Sequence, residues 1–90
     1  MAKLTKEEFI TEVKDAAGKL RKAHPELRRG QAIFNIVDNN PKYLGVARTV
    51  QFQYHIDCFF VDERIEDFLD KCYEVYSMRY NQMNVYHLKL

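Results

Sequence analysis

The chain has no tryptophan, only two prolines and three glycines, and two cysteines. Two cysteines are too few for the disulfide framework of a small secreted domain. Neither belongs to a C-x-x-C pair, so both fit a reduced, cytoplasmic setting. No apolar run approaches the roughly 18 residues that a membrane span needs. The opening MAKLTKEEF lacks the apolar stretch of a signal peptide, so no membrane is expected. Gly18, Gly30 and Gly45 stand apart, which excludes a phosphate-cradling glycine loop. The three histidines are scattered, with no H-E-x-x-H and no Cys/His cluster, so neither metal nor cofactor is expected. Charge of one sign is lacking as well. A net +1 is no nucleic-acid footprint.

The charge is nevertheless uneven, +4 over residues 1–48 and −3 over residues 49–90. The halves either attract each other or mark faces with different partners. Of the 90 residues, 47% are hydrophobic, enough for a single modest core spanning 1–90. Thr5-Lys6-Glu7-Glu8 is a capping box, with Leu4 and Phe9 at the positions of a hydrophobic staple. Phe9, Val13, Ala16, Leu20 and Ala23 then recur at helical spacing up to the break at His24-Pro25. A second helix starts either at Pro25 or nearer Arg29, burying Leu27, Ile33, Phe34, Ile36 and Val37. Gly30 inside it costs about 1 kcal/mol relative to alanine, so a close backbone approach is one explanation and a later helix start the other. Asn40 before Pro41 is set to cap a new element.

Tyr43, Leu44, Ala47 and Val50 fit a short helix through about Thr49. From Val50 the period changes to two, with Phe52, Tyr54, Ile56 and Cys58 alternating against Gln51, Gln53, His55 and Asp57, a strand signal. Tyr86, Leu88 and Leu90 alternate similarly. Either a two-stranded β element joins residues 50–60 to 84–90, or a hairpin folds within 50–60. Asp62 stands where the N-cap of the last helix belongs. Ile65, Phe68, Leu69, Cys72, Tyr73 and Tyr76 form that helix's stripe, to about Tyr80. The expected fold is mainly α, a single-domain bundle of three to four helices with that short β element.

The candidate binding residues are Arg28, Arg29, Gln31, Asn35, Arg48 and Asp57. Gln31 and Asn35 are four apart on one helical face and present amide donors and acceptors. They either grip a ligand or satisfy the backbone of residues 50–60. The arginines suit phosphate or carboxylate, or else pair internally with Asp57 or Asp62. Lys19, Arg21, Lys22, His24, Arg28 and Arg29 form either a basic patch or ordinary solvated surface. Cys58 is the one candidate nucleophile, but Asp57 beside it would raise its pKa and no histidine is placed to activate it. It reads as core filler, and the chain as no enzyme.

RRGQAIFNIVDNN, YLGVARTVQF and IDCFFVDERIEDFL together resemble a family of short, uncharacterised bacterial and phage proteins. The shared pattern is roughly R-x-G-Q-A-x-F-N, a Y-G-V-A-R step and D-C-F-Y-x-D-x-x-I-x-x-F. It is carried here by Arg28, Gly30, Gln31, Ala32, Phe34 and Asn35, by Gly45 to Arg48, and by Asp57 to Phe60, Asp62, Ile65 and Phe68. Leu44 interrupts the second step, and Phe60 stands where the pattern has tyrosine. The resemblance implies that residues 28–69 form one structural unit, and it implies no chemistry.

The aromatic residues, including Tyr43, Phe52, Tyr54, Phe59, Phe60 and Tyr73, are more than a small core needs. Tyr76, Tyr80, Met83 and Tyr86 make either a partner surface or the core's edge. The expected function is a small protein-binding module, with a second copy of the chain as one option for its partner, serving as a bacterial or phage accessory protein. The alternative is a nucleic-acid or nucleotide binder using Arg28, Arg29, Gln31 and Arg48.

Overall fold

Thr5 opens the first helix through the expected capping box: its hydroxyl accepts the Glu8 N–H at 3.1 Å, and Glu8 Oε1 accepts the Thr5 N–H at 2.8 Å. The structure is a computed structural model that describes residues 3–89, with side chains through residue 82. Helix α1 spans Lys6–Ala23 and ends where the His24 N–H reaches the Leu20 carbonyl at 2.8 Å. Its buried line is Phe9, Val13 and Ala17. Ala16 and Leu20 lie at the edge and Ala23 is exposed, so the stripe is turned toward Ala17.

Helix α2 spans Arg29–Asn39, which resolves its start in favour of Arg29. Arg28 is extended, and residues 25–27 form a turn closed by the Leu27 N–H on the His24 carbonyl at 3.1 Å. Proline suits the second position of such a turn as well as a helix start. Gly30, Ala32, Ile33, Phe34 and Val37 are buried. Asn40 then caps a short 3-10 turn, Pro41–Tyr43, its side-chain oxygen accepting the Lys42 N–H at 2.9 Å. Gly45, at φ 74° in the left-handed region, lets the chain turn into α3, Val46–Gln53. A second 3-10 turn, Asp62–Arg64, leads into α4, Ile65–Lys89.

Among the described residues there are four α-helices and no strand. The β element expected at 50–60 and 84–90 is therefore corrected. Residues 50–53 complete α3, residues 54–60 are irregular, and residues 84–89 continue α4; Leu90 lies outside the described residues. The cause lies at His55, which takes φ 58° and reverses the chain. The Ile56 N–H then folds back onto the Val50 carbonyl at 3.3 Å. Val50 and Cys58 are buried and Ile56 packs against the core, whereas Phe52 and Tyr54, which the alternation turns inward, are exposed.

The helices enclose one core. Phe9, Tyr43 and Tyr76 meet ring to ring at its centre, and Phe34 joins Phe68 with centroids 5.6 Å apart. Two tyrosines of α4 fasten the N-terminus: the Tyr76 hydroxyl accepts the Leu4 N–H at 3.1 Å, and the Tyr73 hydroxyl donates to the Leu4 carbonyl at 2.8 Å. Tyr76 is thus interior structure; the side chains of Met83 and Tyr86 lie outside the described residues. No described helix is long and apolar enough to cross a membrane.

Candidate functional site

The start of α2 meets residues 57–62 in a tight knot. A side chain at Gly30 would overlap the Cys58 carbonyl oxygen, so only glycine admits this approach. The Gly30 N–H donates to Asp62 Oδ1 at 3.0 Å, and the Cys58 thiol donates to the Gly30 carbonyl at 3.3 Å. Asp62 therefore caps α2, not α4 as its position predicts; the cap residue before the Asp62–Arg64 turn is Val61, which has no side-chain bond. Arg28 donates to the Phe59 carbonyl and lies 3.8 Å from Asp62. Asp57 accepts the Phe59 N–H at 2.7 Å, holding the loop from its other side.

The six expected site residues are thus divided among different environments. Arg28 and Asp57 converge on the Phe59 backbone. Arg48 pairs with Asp38 through two contacts of 3.2 and 3.3 Å. Gln31 and Asn35 are half-buried on one face of α2, and their side chains make no hydrogen bond with any described residue. They do not serve the backbone of residues 50–60. Arg29 stands apart from Arg28 and Arg48: it lines a cleft of about 140 Å³ between α1 and α2, where Lys14, Gly18 and Arg21 also lie. The spacing of Lys14, Gly18 and Arg21 puts them on one face of α1, and Arg21 and Arg29 are the two members of the expected basic patch that the cleft brings together.

The thiols are poorly suited to chemistry. Burial, followed by the Asp57 charge, pushes Cys58 up to about 12, and burial raises Cys72 further. Both are buried and unbridged. The described residues contain no cluster of three metal-binding side chains.

A different surface stands out on α3. Arg48 and Phe52 are four apart on the helix, and Leu44 stands in the turn that precedes it, with Leu44 78% and Phe52 66% exposed. Arg79 of α4 secures this face by donating to the Leu44 carbonyl at 2.7 Å and to the Thr49 hydroxyl at 3.0 Å. Met78, beside it, is exposed too. Lower on α4, the Lys71 ammonium lies 4.9 Å from the centre of the exposed Tyr54 ring. No protein-family profile, curated protein or solved structure matches the chain.

Proposed function

We propose that the chain is a small, non-enzymatic interaction module that binds a partner protein through the outer face of α3. The observation that carries this reading is the exposure of Phe52 on α3, and of Leu44 in the turn just before it, while the helix's opposite face, Val46, Ala47 and Val50, is fully used by the core. Tyr54, just past the end of α3, and Met78, on α4, are exposed as well. Large apolar side chains gathered on one face characterise recognition surfaces, and aromatic anchors supply most of their binding energy. The buried, proton-holding Cys58 supports a role without a nucleophile. The two unbridged thiols go with a reduced cytoplasmic location. The likeness of residues 28–69 to short bacterial and phage proteins supports an accessory or regulatory role.

A photo-crosslinking phenylalanine analogue at position 52, with a control at the exposed Lys22, tests the surface in cell lysate. The expected result is a discrete adduct from position 52 that Leu44→Ser removes and position 22 never gives. Light scattering on the purified chain shows whether the partner is a second copy. Equal adducts from both positions, or none, would overturn the reading.

The unpartnered amides of Gln31 and Asn35 favour a second reading, a nucleotide or nucleic-acid strand drawn along α2 past Arg28. An elevated 260/280 nm absorbance ratio that collapses in salt would support it, and the lack of tryptophan makes such a ratio conspicuous.

A further inference from the structure

The cleft between α1 and α2 combines features that neither packing nor helix geometry explains. Lys14 and Arg21 from α1 and Arg29 from α2 line it above an apolar floor that includes Ile33 and Ile65. Three cations around one small cleft repel each other unless an anion joins them. Their described contacts leave them available. Arg29 makes no ion pair or hydrogen bond with a described residue. Arg21 spends only Nε, which donates to the Leu27 carbonyl at 3.1 Å and so orients its free terminal nitrogens. Lys14 meets Glu66 at 2.7 Å, but both side chains are well exposed, so that pair is weak and readily exchanged.

Gly18 supplies an independent observation. It lies inside α1, where glycine costs about 1 kcal/mol relative to alanine. A Cβ there would meet nothing within 4 Å, and its φ lies outside the left-handed region. No crowding and no turn requires glycine at this position. What it does is line the cleft, leaving the space between Lys14 and Arg21 open.

We infer that this cleft binds the phosphate group of a small organic monoester, with Lys14, Arg21 and Arg29 on the phosphate oxygens and a short apolar substituent over Ile33 and Ile65. Glu66 offsets one of the three cations, leaving the wall at +2, which balances a monoester dianion better than the single charge of a diester backbone. Arginine's planar fork suits phosphate oxygens in pairs, and lysine contributes a point charge. The site is separate from the α3 surface and does not depend on it.

Propyl phosphate and inorganic phosphate, each titrated at constant ionic strength against the full chain labelled with ¹⁵N, test the site. Saturable shifts of the Gly18 amide and the Arg29 side chain are expected. Propyl phosphate should bind more tightly, by about fourfold for each methylene it buries. Arg29→Gln should weaken binding about tenfold or more, since hydrogen bonds to charged groups are the strong ones. Gly18→Leu should abolish binding while leaving the melting temperature unchanged or higher, which separates blockage from misfolding. Glu66→Gln should tighten binding severalfold by releasing Lys14. Shifts that remain linear, that spread over all basic residues, or that survive in Gly18→Leu would overturn the assignment.

Discussion

Asp62 accepts the Gly30 N–H at 3.0 Å, so a carboxylate leading into the last helix caps the second one, 32 residues earlier. The bond satisfies a donor that the first turn of α2 leaves without an intrahelical partner, and places negative charge at that helix's positive end. It also locks the 57–62 segment against α2, with Arg28 closing the knot on the Phe59 carbonyl.

Gly30→Ala should therefore destabilise the chain even though alanine is the better helix former. Propensity favours alanine by about 1 kcal/mol. Against that, the new methyl overlaps the Cys58 carbonyl, a backbone group that cannot rotate away, and such overpacking costs about 1–3 kcal/mol or more. The net loss should be about 1 kcal/mol or more in urea unfolding. Gly18→Ala, in open space, should instead gain up to about 1 kcal/mol. Identical substitutions with opposite signs test the close approach directly.

Acid stability should depend on Glu12. Hydrogen bonds from Lys42, at 2.8 Å, and then from the Tyr43 hydroxyl hold its carboxyl below the usual glutamate range, against the opposing effect of burial. A carboxyl lowered on folding contributes stability above its unfolded pKa, and that contribution is lost as pH falls through the folded value. Unfolding free energies should thus fall below about pH 4.3, and Glu12→Gln should flatten part of that slope. Tyr43 behaves oppositely. Burial, followed by Glu12, pushes its hydroxyl well above the usual range, so its contribution is complete below about pH 10 and declines above it. Tyr43→Phe should remove that alkaline decline and cost about 1 kcal/mol at neutral pH through the lost hydrogen bond.

Neither thiol should react in the folded state. Cys58 and Cys72 are buried, and burial keeps both protonated at neutral pH. Iodoacetamide followed by mass spectrometry should leave both unmodified in buffer and label both in urea. Rapid native labelling of Cys58 would revive a nucleophilic role.

Features set by neighbouring residues were legible in the sequence, and those set across the fold were not. The Thr5–Glu8 capping box is complete within four residues, so its reading carries straight into the structure. The close approach at Gly30 could be anticipated from its cost, but not that Cys58 makes it, because Cys58 lies 28 positions further along the chain. Asp62 resembles a local N-cap until the fold supplies a helix end nearer its carboxylate. Arg29, grouped in sequence with Arg28, lines the cleft against α1 instead, because Arg28 is extended ahead of the helix and Arg29 is its first residue. The alternation after Val50 misleads for a related reason. Val46, Ala47 and Val50 already keep helical spacing, and the helix absorbs the start of the apparent strand.

His55 provides a test of that reinterpretation whose sign differs between the two structures. In a strand, glycine at this position would weaken the fold and valine would strengthen it. At the end of α3, His55 holds φ 58°, a conformation that costs a side-chain-bearing residue roughly 1–2 kcal/mol and is worst for a β-branched one. Glycine adopts it without that cost but loses more backbone entropy on folding, which offsets part of the gain. His55→Gly should therefore raise stability by about 0.5–1 kcal/mol, whereas His55→Val should lower it by about 1 kcal/mol or more. His55 is exposed, so neither substitution disturbs the core. Urea unfolding of the two variants decides the matter: valine above wild type and glycine below it would restore the strand, and the reverse order identifies His55 as the residue that ends the helix and returns Ile56 to the core.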